Sequence, residues 1–368
     1  MATNPRSGWN PDWAVPPGEI LVEALQDRGM SQSELARRMA RPVKTINEII
    51  NGKAAITSET AIQLERALGI SARFWTGVEA SYRDSLARHE AHRELEANAA
   101  WVDDFPIVDL VKGNQLQRGS SKAETLANLL SYLGLSSPVA FDRQWLGSAA
   151  AFRSSPTFLA SPKAVAVWLR WGEREAANAH VTEFDAQRFR KVLQEIRPLT
   201  RREPFMQIFD RVKAMCAAAG VVVVLVPELA GTHLNGATRW LGGKAVIQLS
   251  NRHKSDDQFW FTFFHEAGHL LTGSRRQDFL DPGEPELGEA DNIDEEAANR
   301  FARDALLPPA DYKAFVQRGD FSVIAIRTFA EHQAIAPGIV VGRLQRDNLL
   351  QPQQLRHLKK PIHFPTDR

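Results

Sequence analysis

The chain has 368 residues, room for two or three domains. Its 43% hydrophobic and 24% charged content are those of an ordinary soluble globular protein. A formal net charge of +1 excludes blanket coating of nucleic acid, so any DNA contact must be local.

The first readable elements lie near the N-terminus. Ser31 to Ala40 reads as a short helix opened by a capping box from Ser31 to Glu34. A turn at Arg41-Pro42 leads into Val43 to Ile50, and Asn51-Gly52 is the expected stop. Leu35, Ala36, Ile46, Ile49 and Ile50 form the apolar seam, leaving Lys44, Thr45, Asn47 and Glu48 outward. This is the layout of a helix-turn-helix whose second helix enters the major groove. Asn47 and Lys44 are the candidates to reach base edges, Gln32, Arg41 and Lys53 to hold phosphates, and Thr45 is a further DNA-contact candidate. Between Ala36 and Ala55 stand five basic residues and one acid, a local balance suited to a polyanion. A helical hairpin with a solvated basic face is the bland alternative.

Three flanking segments add to this. Pro17-Gly18-Glu19-Ile20-Leu21 before the motif, Ile56 to Ala61 after it, and Ser71-Ala72-Arg73-Phe74-Trp75 closing it resemble the HigA-type branch of Xre DNA-binding domains. The resemblance implies a lambda-repressor-like bundle over about residues 14–92 and a repressor, often homodimeric, acting on the operator DNA of its own operon. Many such proteins are antitoxins, so a cognate toxin is an implied partner. Pro42 departs from the family by standing where many members carry a serine cap.

Residues 95–204 read as a helical middle region of unassigned role. Ala123, Leu126, Leu129, Leu130 and Leu133 follow helical spacing, as do Val165, Trp168 and Leu169; Arg188 to Ile196 adds a short helix. Trp168 and Trp171 read as core before ligand pocket, because an aromatic stripe at helical spacing is usually packing. Cys216, the only cysteine, sits in an Ala-rich helix ending at Gly220 and reads as packing rather than nucleophile.

Val221 to Val226 and Lys244 to Ser250 then read as two strands bounded by Gly and Pro. Ser255 to Gln258 reads as a second capping box, ahead of a buried helix from Phe259 through Leu271. Within it lies His265-Glu266-Ala267-Gly268-His269. Residues four apart share a helix face, so His265 and His269 can offer imidazoles to one cation, as in zinc proteases. Glu266 follows the first histidine, where its carboxylate can take a proton from water activated by that cation. Gly268 costs a helix about 1 kcal/mol against alanine, which suggests close packing near the metal. Asp294 to Leu307 opens a further predicted helix, with Glu295 and Asn299 on one face. Glu295 is the third-ligand candidate and Asn299 its support; Glu296, turned by about 100°, is the second choice.

The HEAGH helix, the later Glu-x-x-Ala-Asn-x-Phe-Ala segment and Leu306-Leu307-Pro308 resemble the ImmA/IrrE metallo-endopeptidases across about residues 205–345. The resemblance implies a gluzincin-like zinc site with His265, His269 and Glu295 as ligands and Glu266 as general base. Zn2+ is the implied cofactor, with Mn2+ a substitute in activity assays. The implied substrate is a repressor-type regulator protein or the chain itself. Ala297 departs from the pattern, since many members carry an acid there, and keeps Glu296 open.

Two features complete the reading. From Gln277 to Asn299 the chain carries nine acids and no Lys or Arg, expected to be a solvated loop over the cleft. Ile324 to Phe329 and Ile339 to Leu344, broken at Pro337-Gly338, read as two helices capping the peptidase domain, with residues 346–368 as a tail. His233 and His332 read as structural or surface residues ahead of any role in stabilising an intermediate. The expected fold class is α+β, mainly helical: an N-terminal helix-turn-helix bundle, a helical middle region, and a C-terminal zincin-like domain with a small sheet and the HExxH helix. No apolar run reaches membrane-span length and no signal-peptide pattern opens the chain, so the expected address is the cytoplasm, with no membrane partner. The function expected is a DNA-binding regulator fused to a zinc endopeptidase. The alternative is a non-catalytic autorepressor or antitoxin whose zinc fold is structural or sensory.

Overall fold

The computed structural model describes residues 15–146, 161–252, 254–272 and 290–362. The chain divides into two compact units, Met1–Ala99 and Ala100–Arg368.

Among its described residues the first unit holds helices and no strand: α1 (Pro17–Gln26), α2 (Gln32–Arg38), α3 (Val43–Ile50), α4 (Ser58–Leu68) and α5 (Ala72–Ala97). Serine and threonine caps start three of them. The Ser31, Thr57 and Ser71 side chains accept the amides of Glu34, Thr60 and Phe74. Only half of the expected box at α2 forms, because the Glu34 carboxylate turns to Arg37 and Arg38. Leu21, Leu35, Ile46, Leu64 and Trp75 make the fully buried centre. Gly18 is fixed by close approach: a Cβ there would sit 2.2 Å from the Ile50 carbonyl oxygen. Buried Glu79 accepts the Ile56 amide at 3.0 Å and ties α5 to the start of α4. Beyond that contact α5 is polar all round and mostly exposed.

The second unit begins with α6 (Ile107–Lys112), α7 (Lys122–Leu133), α8 (Pro138–Phe141), α9 (Pro162–Ala177), α10 (Ala186–Ile196) and α11 (Phe205–Ala217). The expected stripes are their buried faces. Leu126 and Leu129 of α7 are fully buried, as are Trp168 of α9 and Cys216 of α11; Trp171 is nearly so. The tryptophan pair is therefore core, and burial pushes the Cys216 thiol far up, away from any nucleophilic role.

Three strands follow: β1 (Val221–Leu225), β2 (Gly236–Leu241) and β3 (Lys244–Leu249), in the order β1-β3-β2. β1 runs parallel to β3 and β2 antiparallel to it. Alternation sorts the side chains between two layers. Val221, Val223, Ala245, Ile247 and Leu249 enter the main core with Phe259, Phe263 and Phe264. On the other face, Gln248 donates to the Trp168 carbonyl at 2.7 Å, holding the sheet on α9.

Behind the sheet stand α12 (Asp256–Thr272), α13 (Ala290–Leu306), α14 (Pro309–Gln317), α15 (Val323–His332) and α16 (Pro337–Arg346). α13 starts before the expected Asp294. Of the acidic segment expected as a loop from Gln277 to Asn299, residues 290–299 are helical instead, and residues 277–289 lie outside the described residues. The second capping box takes a different form. Ser255 pairs as a β-bridge with Pro361, and the Asp256 carboxylate takes the amides of Asp257 and Lys360 at 2.9 and 3.0 Å. α16 lies close over this end of α12, since Cβ atoms at Gly338 and Gly342 would come within 2.5 Å of Asp256 and Asp257 carboxylate oxygens. The cap expected from the last two helices is thus formed. The segment beyond α16 returns to the same place, with Leu358 and Ile362 buried and the Ile362 amide bonded to the Lys254 carbonyl at 2.9 Å. No helix of the described residues is long and apolar enough to cross a membrane.

Candidate metal centre and nucleic-acid interface

α12 presents His265, Glu266 and His269 because its opposite side is anchored by Phe259, Trp260, Phe263 and Phe264, all nearly fully buried. The Nε2 atoms of His265 and His269 converge to 3.1 Å. α13 brings Glu295 against them, with carboxylate oxygens 3.5 Å from His265 Nε2 and 3.4 Å from His269 Nε2. The approach depends on Gly268, where a Cβ would lie 3.0 Å from Ala298 Cα and 3.2 Å from its carbonyl oxygen. The glycine that weakens the helix is what lets the two helices meet at the histidines.

These donors fit a divalent cation. Zinc bonds of about 2.0–2.1 Å in a tetrahedron imply ligand separations of about 3.3–3.4 Å, close to those found here. His265, His269 and Glu295 form a group of three whose ligand atoms all lie within 4.8 Å of one another. Two imidazole nitrogens facing each other beside a carboxylate are a donor set that a shared divalent cation would satisfy. His265 Nδ1 is buried with no hydrogen-bond partner among the described residues, so Nε2 is its engaged atom. Glu296 turns away and bonds Arg303 at 3.3 Å, while Asn299 sits half-buried one turn beyond Glu295.

The electrostatics follow from burial and these partners. Burial pushes the Glu266 carboxylate up, against the pull of His265, His269 and the Thr238 hydroxyl. Burial opposes the charged form of His269, yet its bond to Glu295 and the charges of Glu266, Glu295 and Asp294 leave it raised. Glu295 is lowered, first by its hydrogen bond with His269.

Two residues of this site were missed in the sequence, and both lie on β2. The Thr238 hydroxyl donates to Glu266 Oε2 at 2.7 Å, and Gly236 is where a Cβ would meet Glu266 Oε1 at 2.7 Å. A signal for the strand was present. Gly242-Gly243, both at positive φ, separates Ala237–Leu241 from Lys244–Leu249 as a hairpin turn does. His233 and His332 have local partners, Glu228 at 3.8 Å and Gln333 at 3.3 Å.

In the first unit α3 lies with Ile46 and Ile49 inward, while Lys44 and Asn47 are exposed and Thr45 half-exposed. Gln32 at the start of α2 is half-exposed and Lys53 after α3 is exposed. Arg41 is already engaged, donating to Gln63 at 2.6 Å and Glu59 at 2.8 Å on α4. Pro42 caps α3 without a side-chain hydrogen bond.

Fold and sites together define a helix-turn-helix protein with a zincin-like domain carrying a candidate metal centre. Residues 21–75 match the helix-turn-helix family, and residues 216–330 match the M78 peptidase family, described as the IrrE N-terminal-like domain, a zinc metallopeptidase family. The uncharacterized HTH-type transcriptional regulator YddM of Escherichia coli is 34% identical over 90 residues, 24% of this chain and 83% of that protein. Virulence-associated protein I of Dichelobacter nodosus is 34% identical over 85 residues, 23% of this chain and 79% of that one. Among solved structures, the Pseudomonas aeruginosa antitoxin HigA with higBA promoter is 30% identical, covering 23% of this chain and 94% of that one at a TM-score of 0.22. The chain belongs to the Xre-type helix-turn-helix family through its first unit and carries an IrrE-like M78 peptidase domain in its second.

Proposed function

We propose that this protein is a DNA-binding transcriptional regulator carrying a zinc-dependent endopeptidase, whose substrate is a repressor-type protein or a copy of itself. The observation that carries the reading is the convergence of His265, His269 and Glu295 beside a buried Glu266. A zinc ion, or manganese in its stead, held by those three residues would polarise a peptide carbonyl and acidify water there. Glu266 receives the proton from the attacking water and returns it to the departing amine. A carboxylate raised by burial is suited to both transfers near neutral pH. Thr238, donating to Oε2, holds that carboxylate in one orientation and leaves Oε1 to accept the proton. Asn299 supports Glu295 from the next turn of α13.

In the first unit Lys44, Thr45 and Asn47 read base edges of an operator, and Gln32 and Lys53 hold phosphates. Arg41 joins them only by exchanging its bonds to Glu59 and Gln63. Two copies bind a palindrome in the chain's own promoter, and cleavage frees that operon. The deciding experiment is metal analysis of the purified protein, followed by mass spectrometry after incubation with zinc or manganese. Near one zinc per chain and new termini that vanish in Glu266→Gln support the reading. Metal-free protein, or termini that persist in Glu266→Gln, overturn it.

A further inference from the structure

We infer that Arg346, at the end of α16, is a specificity residue of the peptidase centre, taking a substrate carboxylate that lies about three or four residues from the scissile bond. This rests on reading α12 and α13 as that centre.

Burial along α12 marks where a substrate can lie. From Phe259 to Leu270 every residue is buried except Phe261, Thr262, His265 and His269. Of these, Phe261, His265 and His269 follow one another at intervals of four and form a single stripe on the helix face. The two histidines, with Glu295 beside them, make one end of the stripe the candidate metal centre. Phe261 makes the other end aromatic, its ring stacked on the His265 ring at 6.2 Å between centroids and 28° between planes. The Arg346 guanidinium stands over that phenyl ring, 5.9 Å from its centroid. The two steps place the guanidinium within about 12 Å of the His265 ring, the reach of three or four extended residues. A peptide whose reacting carbonyl is at the histidines, and whose chain follows the open stripe, therefore passes beneath Arg346.

The charge there is unspent. Neighbouring Arg343 is bonded to Asp347 at 2.8 Å, and Lys359 to Asp257 at 2.7 Å. Arg346 is exposed, and among the described residues it has the face of Phe261 as its partner and no carboxylate. The ring orients the guanidinium without neutralising it. A planar guanidinium with free donors matches a carboxylate through two parallel hydrogen bonds. A lysine at that substrate position would be repelled, and an amide would exchange charge-assisted bonds for weaker neutral ones. An Asp or Glu side chain and a free chain end carry the same group, so the test separates them.

That test uses the full chain loaded with zinc and carrying Glu266→Gln, so that peptides bind without being cut. Labelled decapeptides blocked at both ends carry one Glu or one Gln, walked through every position, and are titrated by fluorescence anisotropy. A second set has no acidic side chain and ends in a free carboxylate. The expected result is one position where Glu binds about tenfold tighter than Gln. Adding Arg346→Gln flattens that preference, and adding Arg346→Glu turns it toward Lys at the same position, with zinc content and melting temperature unchanged. A preference confined to the free-carboxylate set and lost in Arg346→Gln assigns the same cation to a chain end. Equal binding of Glu and Gln throughout with no preference for the free carboxylate, or a preference that Arg346→Gln leaves intact, overturns the subsite. No binding of any peptide, joined to no cleavage by the wild type, strikes the peptidase reading itself and takes the subsite with it.

Discussion

Glu266 and the three residues around it set the sharpest tests at the scale of single side chains. Glu266→Gln should keep the metal and the melting temperature and lose cleavage by at least 10²-fold, since the amide cannot accept the proton. His265→Ala or His269→Ala should lose the metal, because two remaining ligands do not hold a tight site. Glu295→Ala should release metal far more readily than Glu296→Ala, whose carboxylate bonds Arg303 instead. Metal retention through gel filtration, read by elemental analysis, orders the four variants. The reverse order for the two glutamates would move the third ligand by one residue. The histidines and Glu266 were legible because spacing along a single helix fixes their relation. Thr238 and Gly236 were not, because their meeting with Glu266 depends on the register of β2 against β3, in which Thr238 stands opposite Ile247. That register is a long-range fact that no window of adjacent residues contains.

Besides β2 at Gly236, two helices meet the HExxH helix at glycines, and each of these helix contacts makes a prediction at the scale of elements. Gly268→Ala removes about 1 kcal/mol of helix cost but adds a Cβ 3.0 Å from the α13 backbone. Overpacking costs about 1–3 kcal/mol, so the net effect should be destabilising, with weaker metal retention as Glu295 is pushed from the histidines. Calorimetry with and without zinc reads both effects. At the other end, burial pushes Asp256 up to about 6, with Asp257 adding to the rise and the Lys360 and Asp257 amides opposing it. A carboxyl raised above its ordinary value favours the folded state when protonated. That contribution is complete below about pH 4 and lost as pH rises through about 6. A shift of about two units is worth on the order of 2–3 kcal/mol. Asp256→Asn should therefore raise the melting temperature of the metal-free protein at pH 8, with the gain shrinking toward pH 4.5. A gain independent of pH would show that the Asp256 charge is not what strains this end of α12. The packing of α16 there was legible as a cap, from the Pro-Gly break and two apolar runs. What it covers was not, because Gly338 and Gly342 state only that something comes close.

At the scale of the whole molecule the two units divide the chemistry between them, and the first can be tested by itself because it has its own core around Trp75, Leu64 and Ile46. Residues 1–99 should bind a palindromic site in the promoter of the chain's own operon, with affinity falling steeply as salt rises through counterion release. Asn47→Ala should relax preference at one base pair, at a cost of about 1–3 kcal/mol. Lys53→Ala should weaken all sequences alike and reduce the salt slope by about one. Arg41 provides the contrast, because its guanidinium is bonded to Glu59 and Gln63. If those bonds serve to hold the turn before α3 on α4, Arg41→Ala should lower the melting temperature of the fragment. If Arg41 instead trades them for phosphate, Arg41→Ala should flatten the salt slope as Lys53→Ala does. Calorimetry and a salt titration by anisotropy on one set of variants separate the two roles. A fragment that shows no preference for promoter DNA over random competitor would make the first unit a protein-docking module that brings partners to the peptidase. A full chain that binds its promoter and never cuts, with a small toxin gene beside its own, would make it an autorepressor whose metal fold serves only as a structural or sensing part.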